Sequence, residues 1–219
     1  MSETTTSQEL EATLNKTDLG HIVYEKRKVI MALLGALLVI ILGWVSMKSI
    51  RSSQETKGSE AVFHFQNDVW AQVKAGKMTT DEMMTKYETL DSGAKSSASM
   101  LPLALEVSKF LVEKNEVEKA DKFLAEVKPS NEIGQFFIVH QRAMLLEKLN
   151  KTGDAIELVK GLKTKKEGIM PAHLELLLGR LYMVQGNSQE AKATLEGVIN
   201  NYPNDEEAKL AKLYLGEVK

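Results

Sequence analysis

A chain that performs covalent chemistry must bring a nucleophile, a base or a metal ligand into one place. The first candidates are four histidines, His21, His64, His140 and His173. No two of them stand at the i, i+4 spacing that sets two imidazoles on one helix face around a zinc ion. Cysteine is absent, which removes disulfides, thiolate metal sites, cysteine nucleophiles and lipid-anchored cysteines together. No P-loop, G-x-G-x-x-G or G-x-S-x-G run occurs. Carboxylates are plentiful but stand beside lysines, as in Glu113-Lys114 and Glu118-Lys119, the pattern of solvated helix surfaces. The expectation is no catalytic residue, no metal site, no cofactor and no enzyme. A formal net charge of −2 with interleaved signs lacks the basic stripe of a nucleic-acid binder. The run Lys163-Thr164-Lys165-Lys166 reads as a solvated loop.

With chemistry set aside, the question becomes what the chain builds. Hydrophobic residues make up 43% of its 219 positions and only four are proline, so it has the apolar content to fold and few helix breakers. Abundant Ala, Leu, Glu and Lys favour an all-α fold.

Residues 29–47, VIMALLGALLVIILGWVSM, carry no charge. As a helix rising ~1.5 Å per residue they reach roughly 28 Å, close to the ~30 Å hydrocarbon core of a bilayer. The run is too long for the core of a cleaved signal peptide, and no small-residue cleavage site follows. A single transmembrane signal anchor is the expected element. The triplet Lys26-Arg27-Lys28 abuts its N-terminal end, while Lys48, Arg51 and Lys57 are dispersed beyond the other. The positive-inside rule then puts residues 1–28, largely disordered, in the cytoplasm and the rest outside it.

Beyond the span the sequence repeats. Gly179 follows Leu178 and precedes Tyr182 by three positions, Ala191 by twelve, Leu195 by sixteen and Val198 by nineteen. This is the tetratricopeptide order of small and large residues in a unit of about 34, with Glu175 where that order has tryptophan. Ala155 stands 36 positions before Ala191, and Ala120 stands 35 before Ala155. Each has a small residue twelve positions upstream, Ala143 and Ser108, and an apolar residue at plus four and plus seven.

Helix pairs are predicted at 99–114 with 116–128, 133–149 with 152–163, and 171–185 with 188–201. A final helix at 205–217 would cap the array. A juxtamembrane pair at 52–75 and 80–90 precedes it, with Val62, Phe63, Val69, Trp70 and Val73 on its apolar face. Thr79-x-x-Glu82, Asn115-x-x-Glu118, Asn187-x-x-Glu190 and Asn204-x-x-Glu207 read as capping boxes. The domain order is then 1–28 cytoplasmic, 29–47 transmembrane, 48–98 juxtamembrane helix pair, and 99–219 repeats with their capping helix.

The segments SEAVFHFQNDVWAQVKAGK at 59–77 and LEVSKFLVEKNEVEKA at 105–120, behind one N-terminal anchor, resemble the bacterial ancillary SecYEG-translocon subunit (YfgM-like) family. That resemblance implies a non-enzymatic protein of the inner membrane whose periplasmic repeat domain meets the translocon, periplasmic chaperones or secreted clients. Apart from the resemblance, a homo-oligomer is a further partner state the reading leaves open. A cell-envelope or cell-division scaffold is the alternative reading, and a membrane-anchored enzyme the least favoured. Resemblance to tetratricopeptide arrays places partner-binding residues on the concave face of the first helices. These are Leu105, Lys109 and Val112; then Phe137, His140 and Met144; then Leu176, Arg180 and Met183. Pro102, Glu113, Glu147, Lys148, His173 and Val184 fall at equivalent positions.

Overall fold

A computed structural model describes residues 36, 37, 39–42, 44, 55–165 and 169–218. The chain divides into two compact units, Met1–Ser53 and Gln54–Lys219. In the first, the described residues are helical and exposed. Most of the predicted span 29–47 and all of the segment 1–28 lie outside the described residues. Among the described residues no helix is long and apolar enough to cross a membrane.

The second unit is helical, with no strand among its described residues. α1 covers residues 55–74, with a π-helical stretch at Phe65–Trp70. It is followed by α2 (Thr80–Glu88), α3 (Ser92–Ser96), α4 (Met100–Glu113) and α5 (Val117–Glu126). Then come α6 (Glu132–Lys148), α7 (Thr152–Lys165), α8 (Pro171–Gln185), α9 (Ser188–Asn201) and α10 (Glu206–Glu217). From α4 onward each helix packs on the next, and α8 also packs on α10. Nearest-neighbour packing of helix pairs is the rule of an α-solenoid.

One joint recurs. Asn115, Asn150 and Gly186 have φ of 64°, 58° and 80°, between α4 and α5, α6 and α7, and α8 and α9. At each, the next residue's N–H reaches five positions back into the first helix: Glu116 to the Leu111 carbonyl at 2.8 Å, Lys151 to Leu146 at 2.8 Å, Asn187 to Tyr182 at 2.9 Å. The residue itself donates to Val112, Glu147 or Met183. This is the Schellman closure, which needs a left-handed residue that only Gly and Asn adopt cheaply. Gly76, at φ 68°, closes α1 onto α2 the same way, with Lys77 N–H on the Gln72 carbonyl. The α1/α2 pair therefore turns as the repeats do.

This joint overturns two expected capping boxes. Asn115 ends α4 instead of starting α5, whose N-cap is Glu116 with no side-chain bond. Asn187 caps α9 without a side-chain bond. The turn has already committed both backbones, leaving the β-region geometry of a box out of reach. The Asn204 box is also absent, because α10 begins after Asp205. The Thr79 box forms in full: Glu82 N–H donates to Thr79 Oγ1, and Thr79 N–H to Glu82 Oε2 at 2.8 Å.

Where the two helices of a pair cross, the residues are small and buried: Ser108, Ala143 and Gly179 on the first helices, Ala120, Ala155 and Ala191 on the second. A β-carbon at Gly179 would lie 2.7 Å from Leu195 Cδ2, so only glycine lets α8 and α9 come this close. Glu175, the departure from the tryptophan of the repeat order, ion-pairs with Lys163 of α7 at 2.8 Å. Lys163 therefore belongs to α7, which runs to Lys165. The expected loop at 163–165 is helix, because the apolar face of α7 continues through buried Leu162.

The core changes character along the stack. From Val62 to Leu145 it is built on large side chains, among them Trp70, Met83, Tyr87, Met100 and Phe123, all essentially inaccessible. Tyr87 and Phe123 stack with centroids 3.9 Å apart. Burial pushes the Tyr87 phenol above its usual range, with Glu126 adding to the shift, so the hydroxyl stays protonated and donates to the Phe123 carbonyl at 3.3 Å. Phe63 is not part of this core: it is 62% exposed while Val62 is 1% exposed, because successive helical residues point ~100° apart. The later clusters, from Phe136 onward, are mostly leucine and alanine. The short α3, which the periodicity did not reveal, starts from Asp91, whose carboxylate accepts Ala94 N–H at 2.7 Å.

Candidate functional site: the face of the first helices

Side-chain contacts link the first helices of consecutive units, α6 to α8 and α8 to α10. The structure gathers some of the predicted residues and separates others. At the junction of α6 and α8, His140 and His173 have ring centroids 5.1 Å apart. Phe136 packs against both, at 6.0 Å and 5.4 Å. Phe137 adjoins Phe136 and is 45% exposed, the most accessible apolar side chain of the group.

Two turns further along the same helices, the Arg180 guanidinium donates twice to Glu147, Nη1 to Oε1 at 2.8 Å and Nη2 to Oε2 at 2.6 Å. A third contact runs from Nη2 to Met144 Sδ at 3.1 Å. This forked pair, about a fifth exposed on each side, bridges consecutive repeats with the planar geometry that favours arginine over lysine.

His140 is half-buried, and burial holds its pKa below the ordinary histidine value; His173 and then Arg180 push the same way. Its imidazole is therefore neutral near pH 7, with one ring nitrogen donating and the other accepting. His173 Nδ1 lies 3.5 Å from Glu207 Oε1 on α10.

The other predicted residues are distributed differently. Leu176 is buried at 7%, packed with Leu195, Val198 and Ala211 beneath α10, and offers no surface. Met183 is half-buried against the same cluster. Val184 is 51% exposed. On α4, Lys109 is exposed and stands 3.9 Å from Glu113, while Leu105 and Val112 are half-buried. No ring contact, ion pair or hydrogen bond joins these α4 residues to the histidine cluster among the described residues.

Two members of the cluster escaped sequence reasoning. Phe136, 4% exposed, lies outside the concave-face positions. Glu207 was read as part of a capping box, yet it stands 34 positions after His173, one tetratricopeptide unit on. That spacing was the available signal.

The cluster has no nucleophile–base arrangement. Among the described residues, no three His, Asp or Glu side chains converge as a metal site requires. It presents aromatic edges, a thioether and the neutral His140 imidazole, which suits contact with a polypeptide. A cleft of about 440 Å³ lies elsewhere, lined by α5, α6 and α7 through Leu124, Ile138, Val139, Leu158 and Leu162.

Residues 174–205 match the family model of the tetratricopeptide repeat. No curated protein matches the chain. The matched stretch runs from the second turn of α8 through α9 to the start of α10, and contains Gly179, Ala191 and Leu195. The chain thus contains a tetratricopeptide repeat within an all-helical stack, a module of protein–protein interaction.

Proposed function

We propose that this protein is a non-enzymatic inner-membrane adaptor whose repeat domain faces the periplasm and binds proteins there, assisting the Sec translocon and periplasmic chaperones with secreted or envelope proteins. The observation that carries the binding role is the α6/α8 face: exposed Phe137 beside half-buried His140 and Met144, held rigid by the Arg180–Glu147 fork. Rigid aromatic and methionine side chains set in a shallow surface are what partner-binding hot spots use. The uncharged run 29–47, flanked by Lys26-Arg27-Lys28, supports the anchor and its orientation. The resemblance of residues 59–77 and 105–120 to the YfgM-like family supports the choice of partners.

Chemical crosslinking in native membranes, followed by mass spectrometry, tests the reading. Translocon subunits or periplasmic chaperones crosslinked to α6 and α8 are the expected result, lost in Phe137→Ala. Division or other envelope proteins in their place, with no translocon subunit, would refute the assignment in favour of an envelope scaffold. Protease added to spheroplasts should remove the repeat domain; a protected domain reverses the orientation.

A further inference from the structure

A helix that closes a solenoid needs a polar outer face. On α10, the helix expected to do this, two exposed leucines interrupt that face. Its inner face holds Ala208 and Ala211, buried at 1% and 0%. The opposite face carries Leu210 and Leu213, 44% and 61% exposed, together with Gly216. Glu206, Lys209, Lys212 and Glu217, all exposed, surround the leucines.

The molecule itself shows how such a face is covered. On α8, the space beside Gly179 is filled by Leu195, whose Cδ2 would stand 2.7 Å from a β-carbon there. At Gly216 a β-carbon would meet nothing within 4 Å. α10 thus displays both halves of a leucine-on-glycine contact, unengaged and side by side.

We propose that this face of α10 binds the same face of α10 from a second copy of the chain, antiparallel, with the two-fold axis at Leu213. In such a contact one patch meets itself, and residues equally distant from 213 oppose each other. Leu210 then lies over Gly216 of the other copy, and Lys209 faces its Glu217. Leucine meets glycine and cation meets anion at both ends. A parallel pair would set Lys209 against Lys209 and Glu217 against Glu217, so charge selects the antiparallel arrangement. One helix pair of this length is smaller than the ~1,200–2,000 Å² of standard interfaces, so the association is weak and concentration-dependent. The proposal is independent of the translocon reading and requires no other partner.

The absence of cysteine makes the test direct. Leu213→Cys in the full-length protein introduces the sole thiol, on the proposed axis. Mild oxidation should give a disulfide dimer at least about tenfold more abundant than Lys192→Cys, an exposed position on α9, where tenfold corresponds to ~1.4 kcal/mol. Lys209→Glu or Glu217→Lys in the Leu213→Cys background should each lower the dimer fraction, and the two together should restore it. Equal crosslinking at 213 and 192, or charge reversals that neither weaken nor rescue the dimer, would overturn the proposal. Circular dichroism on each variant separates lost association from lost folding.

Discussion

The two ends of the helical stack hold together by different means. From α1 to α5 the core is made of large interlocking side chains, with Trp70 edge-on to Phe110 at 5.1 Å and Tyr87 stacked on Phe123. Polar ties cross between helices there, such as Lys95 to Glu126 at 2.6 Å and the Glu55 carboxylate on Ala98 N–H at 2.9 Å. From α8 to α10 the core is leucine and alanine, and closeness of the backbones replaces bulk. Yet it is this second region that matches the repeat family. Family likeness and depth of core are separate properties: the first measures how regularly helices cross, the second how much apolar surface they bury.

The largest effect that sharpens this comparison comes from the bulky end. Phe123→Ala removes an inaccessible ring and its stacking partner's contact, and should destabilise by ~3–5 kcal/mol in urea denaturation. A loss near 1 kcal/mol would mean that the surrounding side chains collapse easily and that the contrast is false.

At the other end a single methyl should matter. Gly179→Ala drives a β-carbon into Leu195, and Ala191→Leu overpacks the same crossing; each should cost ~1–3 kcal/mol. Gly216→Ala has open space, and should instead raise the thermal midpoint, gaining up to ~1 kcal/mol from helix propensity. Gly179 and Gly216 responding alike would show that crossing distance does not govern this region.

A smaller difference separates the helix starts. Thr79→Ala breaks a complete capping box and should cost ~1 kcal/mol, whereas Asn187→Ala removes no side-chain cap and should stay within about 0.5 kcal/mol. Equal losses in thermal unfolding would contradict the turn-first account of the repeat joints.

The smallest effect is electrostatic and belongs to the middle of the stack. His140 is depressed by burial, by His173 and by Arg180, with the carboxylates of Glu147 and Glu207 also at the cluster. The unfolded chain therefore takes up the proton first as pH falls. Stability from this site is greatest above the unfolded value of ~6.5 and declines as pH drops through it. Urea midpoints for wild type and His140→Gln at ~pH 8 and ~pH 5 should diverge, with wild type losing more on acidification. Parallel loss would remove His140 from the account.

Most of the helix pattern is legible in the sequence, since each predicted pair from 99 to 201 has its counterpart within a few residues. Periodicity reports which residues a helix hides, and this stack hides them in the same order each time. The site was less accessible. Leu176 had the right register for a surface strip but lies under α10, and Glu207 joins His173 from a helix one unit away. Both facts depend on which helix comes next in space.

The sequence by itself determined the repeat register, the small residues at Ser108, Ala143 and Gly179, and the absence of a familiar catalytic motif, because these are local or periodic properties. Only the tertiary structure decided that the side chains of Asn115 and Asn187 form no capping box, that two histidines meet, and that α10 turns leucines outward. In each case the same side chain has two low-energy uses, and the packing of neighbouring helices selects between them.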